Sequence, residues 1–142
     1  MTLFWESFNY STKQPVRAVG INRRLHIPLG SREALDALGF ALISVKHWGD
    51  RIGAIPDTGL EHLRLRLSRL DSEAEGFIRV IIEPSNRVSN GVFFEVNDHF
   101  QLSMTDEFAS SNALLDILAS EWDASLERST SIVDSVLESV AS

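Results

Sequence analysis

The sequence contains no cysteine. This removes disulfide scaffolds, thiolate metal sites and cysteine nucleophiles together. It also suits a reducing compartment, and the expected location is cytoplasmic. Lysine is scarce: eleven of the thirteen basic residues are arginine, and only Lys13 and Lys46 are lysine. No stretch approaches the roughly 18 uninterrupted apolar residues of a membrane span, so no membrane partner is expected. The opening Met1-Thr2-Leu3-Phe4-Trp5-Glu6 lacks both the basic and the apolar region of a signal peptide. There is no Gly-x-Ser-x-Gly elbow, phosphate-binding loop or dinucleotide fingerprint. The familiar catalytic signatures are missing.

What remains is 142 residues with 44% hydrophobic content, which suits one α+β domain over residues 1–142. Thirteen basic against twenty acidic residues give a net charge of −7. The charge is unevenly placed. The first hundred residues carry twelve of each sign. Beyond them, Arg128 alone faces Asp106, Glu107, Asp116, Glu121, Asp123, Glu127, Asp134 and Glu138. The last third therefore carries the whole excess.

Thr2–Tyr10 alternates, with Phe4, Phe8 and Tyr10 on one face and Leu3 and Trp5 on the other, which predicts a strand. Val16–Ile21 and Arg24–Ile27 read as two short strands about an Asn22-Arg23 turn. Ser31 is placed to cap a helix over Arg32–His47, where Leu35, Leu38, Leu42 and Val45 keep helical spacing. A strand over residues 40–45 is the competing reading. Gly59–Ala74 carries two patterns. Leu63, Leu65 and Leu67 alternate like a strand, whereas Leu60, Leu63, Leu67 and Leu70 share one helix face. A Thr58/Glu61 capping box and the helix-forming composition decide for helix.

Phe77–Glu83 is nearly all apolar and predicts a strand that is central or covered on both faces. The polar stretch from Pro84 ends in Asn90-Gly91, a good turn dipeptide. Gly91–Val96 and His99–Met104 read as a hairpin about Asn97-Asp98. Thr105 opens a last helical region, whose apolar stripe runs from Leu115 through Trp122 to Val140 and places Trp122 in the core. The Ser129-Thr130-Ser131 cluster marks a break or kink in it. Ser131, Ser135 and Ser139 form a solvated edge, or a close-approach surface for another helix. The expected fold is α+β in the order ββ(β)ααβββα. It has a largely antiparallel sheet of about five or six strands packed against helices, and ends in a long acidic helix.

His26, His47, His62 and His99 are too widely separated for a paired-ligand motif, and neither metal nor cofactor is expected. Glu95, Asp98 and His99 are the best polar constellation. A carboxylate beside an imidazole can set its tautomer and raise its pKa for acid/base work. The same residues are also what a tight turn at Asn97-Asp98 would use. Arg64, Arg66 and Arg69 could join Arg23 and Arg24 in a basic patch. On a helix they spread around the circumference and are diluted by Glu61, Glu73 and Glu75. Nucleic acid is therefore not the expected partner.

The acidic last third suggests electrostatic steering toward a basic partner. The expected contact residues are Asp116, Glu121, Trp122, Asp123 and Glu127, with Trp122 as the alternative anchor if it escapes the core. The functional expectation is a small non-catalytic protein-binding module. It would be an immunity or antitoxin protein neutralising a basic toxin, or a secretion-chaperone-like binder. The competing reading is a small-ligand binder or enzyme using His99 with Glu95 or Asp98. A homodimer covering the last helix is the third.

Overall fold

A computed structural model describes residues 18–42, 59–68, 75–101 and 111–141. These form β1 (Ala18–Pro28), α1 (Arg32–Leu42), β2 (Leu63–Ser68), β3 (Glu75–Pro84), β4 (Gly91–Gln101) and α2 (Ser111–Ala141). The sheet order is β1-β4-β3-β2 and every pairing is antiparallel. The class is α+β, as the sequence predicts, with fewer strands: four among the described residues. The strand expected over Thr2–Tyr10 lies outside them.

Two of the expected turns are continuous strand. Asn22-Arg23 sits in the middle of β1, where Asn22 faces Asn97 and Arg23 faces Val96. Asn97-Asp98 sits well inside β4, flanked by β1 and β3. The reason is the same in both. Val19, Ile21, Leu25 and Ile27 share one phase of β1, and Val92, Phe94, Val96 and Phe100 share one phase of β4. A chain break at either dipeptide would throw half of each apolar row to the wrong face.

The helix expected over Gly59–Ala74 is the largest correction. Leu63–Ser68 is an edge strand on β3, with Leu63 opposite Ile82, Leu65 opposite Val80 and Leu67 opposite Ile78. Helix propensity is worth tenths of a kcal/mol per residue, and pairing with an apolar strand outweighs it. Leu60 instead packs against α1 at Gly39, where an added Cβ would stand 2.8 Å from the Leu60 Cβ. The turn before Gly91 is as expected. Asn90 adopts φ 51°, a left-handed conformation that Asn tolerates, and the Ser85 hydroxyl accepts bonds from the Arg87 and Val88 amides.

Ser31 caps α1 as predicted, its hydroxyl accepting from the Ala34 amide at 3.1 Å. Leu35 and Leu38 of α1 meet Val80 and Ile82 of β3, Val92, Phe94 and Val96 of β4, and Val133 of α2. All the strand members point to one face of the sheet, so both helices lie on that face. Each such side chain contributes about 1.5–3 kcal/mol by leaving water.

Helix α2 is a single run of 31 residues, roughly 46 Å long, with no break at Ser129-Thr130-Ser131. Ser131, Ser135 and Ser139 are exposed, as a solvated edge requires. No described helix is long and apolar enough to cross a membrane.

Candidate functional site

The two faces of β4 separate the polar residues into different environments. Residues 92, 94, 96, 98 and 100 point toward the helices, and 93, 95, 97 and 99 point away. Asp98 therefore lies under α2, with only 2% of its surface exposed. Its Oδ2 accepts from Arg128 Nε at 3.2 Å and Nη2 at 2.9 Å, and Arg128 Nη2 also donates to Glu121 Oε2 at 2.9 Å. Diagonal to Asp98 on β1, Arg23 donates to the Leu126 carbonyl at 3.2 Å and the Ser129 hydroxyl at 3.0 Å, and also reaches the Thr130 hydroxyl. Ser129, at this contact, and Ser125, one turn before it, are both buried. Helix α2 thus sits on the sheet partly through an ionic and hydroxyl seat. Small serines let the helix come close enough for Arg23 to reach its backbone.

On the face away from the two helices, Glu95 is buried and clamped between two strands. Its Oε2 accepts from Arg24 Nε at 2.8 Å and its Oε1 from Arg79 Nη2 at 2.9 Å. Beside it, Asn97 donates to Asn22. His99 stacks on Phe77 with ring centroids 4.5 Å apart, and the Arg66 guanidinium lies 3.8 Å from the centre of the Phe77 ring. Burial, followed by the Arg66 and Arg79 charges, holds the His99 pKa below its ordinary value of 6.5. His26 bonds the Ser85 hydroxyl at 2.8 Å and tilts against Phe93. The exposed His62 pairs with Glu83 at 3.0 Å.

The expected acid/base set does not converge. Asp98 and His99 lie on opposite faces of the sheet. Glu95 and His99 share a face but stand about 13 Å apart along the strand. Both oxygens of Glu95 are already held by guanidinium groups. Among the described residues no three histidine or carboxylate side chains gather as a metal site.

The residues expected to contact a partner fall into two groups. Glu121 is half-buried and tied to Arg128. Asp116, Asp123 and Glu127 are exposed, together with Asp134. At 100° per residue these four fall within about 40° of the helix circumference, in a stripe about 27 Å long. Among the described residues, no hydrogen bond or ion pair engages them. Trp122 is 45% exposed, contrary to its place in the apolar pattern. It does lie on the same side of α2 as Val133. Among the described side chains of the helix the buried positions are Ser125, Ser129 and Val133, all C-terminal to Trp122, while Leu115, Ile117 and Leu118 before it are half-buried.

Sequence reasoning missed Arg23, Arg128 and the Arg24–Glu95–Arg79 clamp. The signal for the first was present: Arg23 and Asp98 are the only charged residues in otherwise apolar alternating rows. Such interruptions require charged or polar partners from a covering element. Comparison with protein-family models, curated proteins and solved structures finds no match to this chain.

Proposed function

We propose that this chain is a non-catalytic protein-binding module that docks a basic protein on the outer face of α2. One observation carries this reading. Asp116, Asp123, Glu127 and Asp134 form an exposed one-signed stripe, and the exposed Trp122 stands on the same helix about 120° around from it. A row of like carboxylates steers a basic partner and raises its association rate, while a partly exposed indole can supply much of the binding energy. Each carboxylate in the stripe deepens the local negative potential, and none makes a side-chain bond to the fold among the described residues. That arrangement suits an immunity or antitoxin protein that neutralises a basic toxin, and a secretion-chaperone-like binder equally. The acid/base reading draws no comparable support, because Asp98 and Glu95 are committed to arginines and neither approaches His99.

The test uses the native chain and a variant carrying Asp116→Asn, Asp123→Asn, Glu127→Gln and Asp134→Asn as paired baits in extracts of the native host. A stoichiometric basic protein held by the native chain and lost from the variant supports the reading. For that purified partner, Trp122→Ala should weaken affinity tenfold or more, corresponding to about 1.4 kcal/mol. A partner retained equally by both baits overturns it. Glu121 is left untouched, because its substitution would also disturb Arg128 and Asp98.

A further inference from the structure

The side of β2 away from β3 is a second surface with its own chemistry. Among the described residues β2 pairs only with β3, and no backbone partner for its other edge lies among them. From Arg64 to Ser68 every side chain of the strand is exposed. Leu65 and Leu67 point to the helix-bearing side of the sheet, yet are 44% and 51% exposed, because the helices lie over β1, β4 and β3. Arg64 and Arg66 point to the opposite side. The edge therefore reads apolar on one face and cationic on the other, at strict two-residue spacing.

We propose that this edge receives an extended segment of a partner protein whose side chains alternate apolar and acidic. Backbone bonds would continue the sheet by one strand, as in other cases of strand addition. The apolar side chains of the segment would cover Leu65 and Leu67, and its carboxylates would lie beside Arg64 and Arg66. A second copy of this chain fits poorly. A twofold-related continuation of the sheet through β2 sets Arg64 and Arg66 of the two copies on the same face, and like charges directly opposite destabilise a strand pair. The arginines therefore disfavour self-pairing while remaining complementary to an acidic strand. This surface is independent of the α2 stripe, and its success or failure leaves that reading unchanged.

The probe is a fluorescein-labelled nine-residue peptide alternating valine and glutamate, followed by anisotropy on the full chain. Binding is expected for this peptide and not for one alternating valine and lysine. Arg64→Glu with Arg66→Glu should reverse that preference by tenfold or more, with unchanged circular dichroism showing that the fold persists. Methylating every backbone nitrogen of the peptide should reduce binding at least tenfold, because strand addition needs those N–H groups. Amide exchange should slow across Leu63–Ser68 in the complex. The proposal is overturned if the valine–glutamate peptide does not bind. It is equally overturned if the methylated peptide binds as well, or if a ten-nucleotide oligothymidylate displaces the peptide and loses its own affinity on charge reversal.

Discussion

The carboxylates of β4 and those on the outside of α2 differ in what holds them. Asp98 is almost fully buried against Arg128, and Glu95 is bridged by Arg24 and Arg79 from both neighbouring strands. Asp116, Asp123, Glu127 and Asp134 are exposed, with no such bonds among the described residues. A buried carboxylate survives only if cations and donors replace its lost hydration. An exposed one needs no partner, and four of one sign along one helix face repel each other. The first pair is explained by the fold. The second set is not, and it is the charge that another molecule can use.

Substitutions can break this contrast. Asp98→Ala leaves the half-buried Arg128 guanidinium without its main partner and loosens α2 from the sheet. A loss of about 2–4 kcal/mol in urea unfolding is expected; a change below about 1 kcal/mol would show that the seat under α2 is dispensable. Glu95→Ala should cost less, about 1 kcal/mol in the same assay, because Arg24 and Arg79 both reach solvent.

The next effect is a dependence on pH. His99 has a depressed pKa in the folded chain, so the unfolded chain binds more protons below about 6.5. The stability it contributes is present above that pH and declines as the pH falls through the folded-state value. His99→Gln should flatten this component, measured as unfolding midpoints across the acidic limb. An unaltered slope would remove His99 as its source. Neutralising the four stripe residues should change stability least, within about 0.5 kcal/mol per site, with relief of repulsion offsetting any loss. A large loss in melting temperature would place the stripe with the structural carboxylates after all.

The α+β class, β3 as a central strand, the Ser31 cap and the Asn90-Gly91 turn were legible because each rests on local pattern or local bonding. The segment around Leu63–Leu67 was not, since its residues satisfy both periodicities and only the apolar row of β3 decides between them. Asn97-Asp98 misled for a different reason. Turn-forming residue types stand inside a strand because Arg128 and Asn22 supply their bonds from elements distant in sequence. The two-residue apolar phase of Val92, Phe94 and Val96, resumed at Phe100 after Asp98, is the stronger signal there, and it outranks residue type. Trp122 keeps the angular position of the helical stripe but not the burial expected of it, since it is 45% exposed. How far along α2 the sheet's cover extends is a tertiary fact that periodicity does not contain.

The central claim, that the α2 stripe recruits a basic protein, is tested most directly by the association rate of the captured partner against ionic strength. The account predicts a steep fall with salt for the native chain. For the four-site neutral variant it predicts a slower rate and a flattened dependence. Coincident salt profiles for the two chains would contradict it.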